Sequence, residues 1–200
     1  MTSATLIAEV IVRLARFTHG ARHICGLTSA QWAALRYFAR AIGPSRTVTA
    51  FADYHLTTRG TASQTVKSLV TKGLLARTRS EQDGRIIHID LTDQGRATYK
   101  QDPFADLLQA IIDLPEVEQD NLDAILAPMM ERISATRRVR CFTACRGCVH
   151  LSKPANLESD EKSYFCRRNQ MVLTVADMDA ICMDYAVTET SELDQVAVPR

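Results

Sequence analysis

The sequence predicts a mainly α-helical protein with a small β wing: a winged helix-turn-helix with a helical dimerisation platform, plus a small cysteine-rich module. Apolar residues recur at helical spacing over much of residues 1–140, and two short strand-like runs there flank the turn signal Asp83-Gly84. Five of the six cysteines follow between Cys141 and Cys182. These three observations divide the chain into a domain over 1–140, a module over 141–190 and a flexible tail over 191–200.

Four helices are predicted before the wing, over residues 4–24, 28–41, 48–55 and 61–72, the last two forming a helix-turn-helix over 47–72. In the first helix, Leu6, Val10, Leu14 and Phe17 are spaced four, four and three residues apart. This spacing places them on one apolar stripe. Gly73 is expected to end the fourth helix, because a glycine readily adopts the left-handed conformation of a C-cap.

The wing is predicted over residues 74–92. Leu74–Arg79 and Ile86–Leu91 are each typical of strands, and the Asp83-Gly84 pair between them favours a tight turn. The two segments are therefore expected to form an antiparallel hairpin.

Helical structure is predicted again from Asp93 onward. Pro103 should break or kink it, because a proline inside a helix costs about 3 kcal/mol. A last helix is predicted over Pro115–Thr136, and its apolar residues are Leu122, Ile125, Leu126, Met129 and Ile133. This row and the stripe on the first helix are the candidate surfaces for a dimerisation platform, although either could be ordinary core.

The fourth helix is the candidate DNA-reading element. In a helix-turn-helix the second helix enters the major groove with its N-terminal residues facing the bases. Ala62, Val66, Leu69 and Val70 are expected to face the core, which turns the polar residues of this segment outward. The predicted DNA-contacting residues are Arg59, Thr61, Ser63, Gln64 and Lys67 here, and Arg77, Arg79, Asp83 and Arg85 in the wing. The alternative is an ordinary solvated helix surface.

Residues 5–138 resemble the MarR family of bacterial transcriptional regulators. The resemblance is carried by L-T-S-A-Q-W-A-A-L-R (27–36), T-A-S-Q-T-V-K-S-L-V-T-K-G-L-L (61–75) and D-G-R-I-I-H-I-D-L-T-D-Q-G (83–95). It implies a homodimer on a near-palindromic DNA operator, most simply a repressor, with the dimer built on the first and last helices. It also implies that Asp83 braces a wing arginine and that Arg85 contacts the minor groove.

The cysteine cluster predicts a metal site, because thiolates are the ligands that soft and borderline metals favour. Cys145-Arg146-Gly147-Cys148 is a C-x2-C pair, and two single cysteines further along would complete four. The pattern resembles small cysteine modules appended to some MarR-like proteins, which have an aromatic-cysteine element and then an L-x-x-x-D helix ending in a fourth cysteine. This resemblance implies that the ligands are Cys145, Cys148, Cys166 and Cys182, with Cys141 as a possible alternate.

Spacing within the module favours an iron–sulfur cluster of the 4Fe–4S type over zinc. Structural zinc commonly takes its ligands from two close pairs, whereas Cys166 and Cys182 are separated by 15 residues with a predicted helix between them. The cluster would make DNA binding answer to redox state, iron or oxygen by moving the module against the last helix. The alternatives are a structural zinc site with small-molecule sensing, a thiol redox switch, and an electron-transfer or docking subunit.

Charge and composition narrow the class of protein. Residues 1–140 carry 18 Lys and Arg against 14 Asp and Glu, and residues 141–200 carry 6 against 9, so a polyanionic partner is expected on the first part. No apolar run approaches the roughly 18 residues of a membrane span, and no secretory signal is evident. We expect a cytoplasmic protein, where clustered thiols bind metal more often than they form disulfides. The absence of a Ser/His/Asp set, a P-loop or paired carboxylates predicts that it is not an enzyme.

Overall fold

The computed structural model describes residues 3–18, 24–80, 83–152 and 164–186. The helices within these ranges are α1 (Ala4–Phe17), α2 (Ser29–Arg40), α3 (Val48–Tyr54), α4 (Arg59–Thr71), α5 (Asp93–Tyr99), α6 (Phe104–Ile112) and α7 (Glu116–Arg137). The strands are β1 (Leu75–Arg79), β2 (Ile87–Leu91), β3 (Thr143–Ala144), β4 (Leu151–Ser152), β5 (Tyr164–Cys166), β6 (Met171–Leu173) and β7 (Ile181–Cys182). Of the helices in this part of the chain, none has the length and apolar character needed to cross a membrane.

Helices α2–α4 and strands β1–β2 pack around one apolar core, and we call residues 29–91 the winged lobe. Trp32, Leu35 and Phe38 lie on one face of α2 and are almost completely buried, together with Val66 on α4 and Ile89 on β2. The spacing of three between the α2 residues keeps them on one side of the helix. Burial of this face is what holds α2 in the lobe, at roughly 1.5–3 kcal/mol per large side chain.

The start of α4 differs from the prediction. The fourth helix is predicted to begin at residue 61, but α4 begins at Arg59, with Thr58 as its N-cap. The Thr58 hydroxyl accepts the Thr61 amide at 3.1 Å, which satisfies one of the amides that a helix start leaves unpaired. The predicted end is confirmed, since Gly73 follows with a φ of +71°.

The wing hairpin is confirmed. β1 and β2 are antiparallel, with a register that runs from Leu75 opposite Leu91 to Arg79 opposite Ile87. Each strand begins one residue later than predicted. The Ile89 amide also donates to the Arg46 carbonyl at 2.7 Å, so the segment between α2 and α3 is attached to the wing.

We call helices α1, α6 and α7 the helical platform, of which α1 and α6 pack against each other. The break predicted at Pro103 is confirmed, because α5 ends at Tyr99 and α6 starts at Phe104. The first helix is shorter than the predicted 4–24: it ends at Phe17, and residues 19–23 lie outside the described residues. Several large apolar side chains on the platform are exposed, among them Leu6, Val10, Leu14, Phe17, Leu108, Ile112, Ile125, Met129 and Ile133.

One ion pair joins the platform to the winged lobe. The Arg36 guanidinium of α2 is bidentate to Asp102, with distances of 2.8 Å from Nε and 2.6 Å from Nη2. The same group donates to the Thr18 carbonyl at 3.2 Å and lies 4.7 Å from the centre of the Phe104 ring. Both side chains are largely buried, at 16% and 6% exposure.

The cysteine-rich module is built from short strands. β3 pairs with β7, and β5 lies between β4 and β6 in a three-stranded sheet. The helix predicted between Cys166 and Cys182 is wrong: the described chain there contains β6 and a 3-10 turn over Ala176–Asp179. The Asp177 carboxylate accepts both the amide and the hydroxyl of Thr174 at 2.8 Å, which closes a tight turn in place of a longer helix. Residues 153–163 and the predicted tail at 191–200 lie outside the described residues.

Candidate nucleic-acid interface and thiol site

Helix α4 presents a polar row to solvent. The five polar side chains singled out in the sequence are all exposed, namely Arg59, Thr61, Ser63, Gln64 and Lys67. On the opposite side Ala62, Val66 and Leu69 are buried. The helix therefore has one face committed to the core and one face available to a partner, as the amphipathic pattern predicts.

The first turn of α4 contains a hydroxyl pair that the sequence analysis missed. The Thr58 and Thr61 hydroxyl oxygens are 2.9 Å apart, and Thr58 also caps the helix. Thr61 is thus held in one orientation rather than free to rotate. The signal that could have found it is the threonine three residues before Thr61, which is a common capping position.

The wing carries exposed arginines on its first strand and at its turn. Arg77 and Arg79 on β1 and Arg85 after the turn are exposed, as is Asp83. The Asp83 carboxylate accepts the backbone amide of Arg85 at 2.9 Å. The resemblance implied that Asp83 would brace an arginine side chain, whereas the described contact fixes the backbone of Arg85.

Arg46 is a further residue that the sequence analysis missed. Its guanidinium donates to the Ala41 carbonyl at 2.8 Å and to the Asp90 carboxylate at 2.9 Å. Asp90 belongs to β2, so this arginine attaches the α2–α3 connection to the wing. The pair is partly exposed, and its role is to fix the position of the wing rather than to add much stability.

The four predicted ligand cysteines line one small cavity. Cys145, Cys166 and Cys182 are buried and Cys148 is half-buried, around a volume of about 10 Å³ that His150 and Asp184 also border. That volume holds about one water-sized atom. Cys141, the possible alternate, lies outside this cavity and is hydrogen-bonded to Ser134 of α7.

The thiols are connected to one another and to the surrounding backbone. A hydrogen bond joins Cys145 and Cys182, and it lowers the pKa of Cys182 to about 7 while raising the pKa of Cys145. The Asn169 amide donates to the Cys166 sulfur at 3.5 Å, and the Cys148 amide closes the C-x2-C turn on the Cys145 carbonyl at 3.0 Å. Such turns aim sulfurs toward a common centre.

The donor set suits a thiophilic metal, but its side chains are not preassembled. Within residues 3–18, 24–80, 83–152 and 164–186, no three or more Cys, His, Asp or Glu side chains are in an arrangement that could hold an ion. The sulfurs of Cys145, Cys148, Cys166 and Cys182 share a cavity and would need to adjust their rotamers to ligate. Four thiols of this kind fit either zinc or an iron–sulfur cluster.

A model of the MarR family matches residues 26–86, which cover α2 to the start of the second wing strand. No curated protein matches the chain. Similar solved structures include the Staphylococcus aureus MepR–DNA complex, with 22% identity over 66% of this chain and 98% of that one, and a TM-score of 0.51. A MarR transcriptional regulator from Methanosarcina mazei Go1 has 20% identity, coverage of 66% and 99%, and a TM-score of 0.52.

The transcriptional regulator SlyA is similar to the same extent, with 22% identity, coverage of 66% and 96%, and a TM-score of 0.51. At these identities the likeness is one of fold. MarR family members are transcription regulators and not enzymes. Residues 26–86 therefore match the MarR family, and the chain has the winged-helix fold of MarR regulators.

Proposed function

We propose that this protein is a homodimeric DNA-binding transcriptional regulator, and specifically a repressor, that places α4 in the major groove of a near-palindromic operator. The observation that carries the proposal is the exposed polar row of α4 beside a wing that bears three exposed arginines. A helix of this kind can read base edges while the wing contacts the backbone and minor groove. The MepR structure of the same fold is a DNA complex, which supports the proposal.

Two substitutions on α4 test it. A duplex selected by the wild-type protein from a random pool serves as the operator. Gln64→Ala should cost about 1–3 kcal/mol of binding and relax specificity at one base pair, because an amide reads adenine edges. Lys67→Ala should weaken binding to all sequences and reduce the slope of log affinity against log salt by about 1, because a phosphate contact is lost.

Lys100→Ala is the matched control, since this lysine is exposed at the end of α5 and belongs to neither surface. It should leave both specificity and salt slope unchanged. If no duplex is enriched over random DNA, or if all three variants bind as the wild type does, the proposal fails. Loss of reporter repression by Gln64→Ala in cells would support the repressor assignment.

We further propose that Cys145, Cys148, Cys166 and Cys182 hold an iron–sulfur cluster that modulates DNA binding. Support comes from the shared cavity of these four cysteines. A cluster bound there would supply redox and oxygen sensitivity, while the chain supplies four thiolates in a largely buried setting. The bordering Asp184 and His150 are close enough to influence the charge of such a site.

Protein purified without oxygen tests the cluster. It should be brown, contain iron and acid-labile sulfide, and lose its visible absorption on exposure to oxidant. Serine substitution of any of the four cysteines should abolish the colour. Cys141→Ser is the matched control, because Cys141 lies outside the cavity, and it should retain the cluster.

A structural zinc site is the second candidate, and two observations favour it. The cavity of about 10 Å³ suits a single ion more readily than a cubane. The helix that had argued against zinc is absent from the described chain between Cys166 and Cys182, where Cys166 instead begins a tight turn. A colourless protein with one zinc per chain would replace the cluster with this second candidate.

A further inference from the structure

We propose that Ser45 is the positioning residue through which the thiol site acts on the winged lobe. Ser45 belongs to the 3-10 turn Gly43–Ser45, which connects α2 to α3. The inference rests on the metal centre proposed above and names the route by which that centre would regulate DNA binding.

Ser45 is fixed within the core of the winged lobe. Its side chain is completely buried. The Tyr37 hydroxyl donates to the Ser45 carbonyl at 2.8 Å, and the Thr47 amide donates to the same carbonyl at 2.8 Å. With its backbone held by two donors and its side chain surrounded, Ser45 cannot move unless the α2–α3 connection moves with it.

The Ser45 hydroxyl points into the cysteine-rich module. Its oxygen accepts the amide of Met183, the residue after Cys182, at 2.8 Å, and this places the hydroxyl close to the Cys182 thiol. A hydroxyl has one proton and two lone pairs, so it can accept from Met183 and donate to the Cys182 sulfur at the same time. A metal-bound sulfur carries negative charge and is the stronger acceptor, as for other groups that orient metal ligands.

Cys182 is attached to the winged lobe on both of its sides. On one side the Ile42 amide donates to the Ile181 carbonyl at 3.0 Å, and the Ile181 side chain is buried in the core of the winged lobe. On the other side Met183 is bonded to Ser45. A displacement of the Cys182 sulfur is therefore transmitted to residues 41–45 rather than absorbed by a loose segment.

The α2–α3 connection in turn positions both DNA-facing elements. Arg46, the next residue, accepts Ile89 of β2 through its carbonyl and binds Asp90 through its guanidinium. Thr47 caps α3 by accepting the Ala50 amide at 3.1 Å. The wing is thus hydrogen-bonded to the residue after Ser45, and α3, which packs against α4, begins two residues further on. These contacts give the thiol site a route to both DNA-facing elements.

The test uses full-length wild type, Ser45→Ala and Ser152→Ala, with Co²⁺ as the metal probe because its absorption reports thiolate ligation. Ser152 is the matched control: its hydroxyl donates to the Phe165 carbonyl at 3.1 Å within the module's own sheet. Affinity for the selected duplex is measured with and without Co²⁺ under reducing conditions. Amide hydrogen exchange of residues 41–47 is followed in the same samples.

Wild type and Ser152→Ala should change DNA affinity by about 5- to 150-fold on Co²⁺ binding, the usual range of allosteric coupling. Co²⁺ should also slow exchange at residues 41–47. Ser45→Ala should keep the four-thiolate spectrum while its affinity ratio falls to within about twofold of one, because the coupling has been removed. Should Ser45→Ala fail to fold, Ser45→Gly tests the same bond, since it also removes the hydroxyl and adds neither bulk nor a new metal ligand.

Each other outcome overturns the inference in a recognisable way. If Co²⁺ changes the DNA affinity of Ser45→Ala as much as that of wild type, the assignment of Ser45 is overturned. Loss of the four-thiolate spectrum in Ser45→Ala also overturns it, because Ser45 would then be a structural support of the site. If Co²⁺ leaves the DNA affinity of wild type unchanged, the regulatory route is overturned, while the proposals of DNA binding and metal binding still stand. A wild type that has been freed of bound metal and still gives no Co²⁺–thiolate spectrum overturns the inference, because the four thiols then do not bind a single metal ion together.

Discussion

Tyr37 is the most constrained polar residue of the winged lobe. Its ring packs edge-on against Phe38, with centroids 5.2 Å apart, and contacts Phe51 at 5.5 Å. Its hydroxyl reaches the Ser45 carbonyl. An aromatic residue of this kind contributes apolar burial through the ring and one specific hydrogen bond through its polar end. Removal of the hydroxyl alone separates the two contributions.

Tyr37→Phe should cost about 1 kcal/mol of unfolding free energy near pH 8, the usual net worth of one buried hydrogen bond. Burial raises the pKa of Tyr37 well above its ordinary value. In the unfolded chain the pKa of this tyrosine is about 10. Below that pH the buried hydroxyl contributes its full stability. As pH rises above it, the tyrosine ionises in the unfolded chain but not in the folded one, so the unfolded state is favoured and that stability is lost. Urea unfolding should show that the unfolding free energy of wild type exceeds that of Tyr37→Phe by less at pH 10.5 than at pH 8. Parallel pH dependence of the two proteins would contradict this account.

Substitution of two glycines by alanine tests whether there is room for a side chain at each position. A Cβ on Gly95 would collide with the Leu74 carbonyl, since α5 packs there against the residue just before β1. Gly95→Ala should therefore destabilise the protein by about 1–3 kcal/mol or more, as overpacking does. Gly60→Ala is the control: the nearest atom to its Cβ would be 3.8 Å away, and alanine in a helix should add about 0.5–1 kcal/mol. Equal effects of the two substitutions in thermal unfolding would rule out the steric explanation.

At the scale of elements, the sequence predicted best those features that depend on one or two neighbouring residues. The wing hairpin and the break at Pro103 each depend on one or two residues with a strong backbone preference, and both are confirmed. The fourth helix starts two residues earlier than predicted because Thr58, three residues before the predicted start, caps it. The segment after Leu173 has a helix-like pattern, yet Asp177 closes a turn on Thr174 and the helix does not form.

The sequence indicated which cysteines would lie together, but not which other residues they would contact. The C-x2-C pair and the later cysteines indicated which thiols share a cavity. Nothing in the spacing indicated that Cys182 would be tied to Ser45, because the two are far apart in sequence and only the tertiary fold brings them together. The prediction that the module acts on the last helix stays a prediction: Cys141 contacts Ser134 of α7, whereas the residues on either side of Cys182 are bonded to the winged lobe.

The joint between platform and winged lobe depends on one largely buried ion pair. Removal of one partner leaves a charge without compensation, so Asp102→Ala should destabilise the protein by about 3–5 kcal/mol. Asp102 also accepts the Phe104 amide at the start of α6 at 2.9 Å, which adds to this cost. Arg96→Ala is the control, because the Arg96–Asp93 pair is exposed and should contribute at most about 1 kcal/mol. The measurement is chemical denaturation.

A double-mutant cycle isolates the pair itself. If Arg36 and Asp102 stabilise the joint through each other, the combined substitution Arg36→Ala with Asp102→Ala should be less destabilising than the sum of the single ones by about 0.5–3 kcal/mol. Strict additivity would instead assign the cost to the separate contacts of each residue, such as Arg36 with Thr18 and Phe104.

For the whole molecule, the exposed apolar rows of α1 and α7 are the feature that one chain does not account for. Leu6, Val10 and Leu14 on α1 are each about half exposed, and so are Met130 and Ile133 on α7. A run of large exposed apolar side chains is typical of a surface covered by another protein. The proposed homodimer would cover it and set the distance between two α4 helices, as binding to two half-sites requires.

Leu14→Glu tests the dimer at this scale, because a carboxylate in an apolar interface is left unpaired and costs several kcal/mol. We expect sedimentation to show a dimer for wild type and a monomer for Leu14→Glu at micromolar concentration. Affinity for a duplex with two half-sites should fall at least tenfold, while binding to a single half-site should change little, since α4 is unaltered. Lys100→Glu adds the same charge outside both apolar rows and should remain dimeric. A dimeric Leu14→Glu, or a monomeric wild type with full affinity, would mean that the rows serve another purpose and that each chain reads DNA alone.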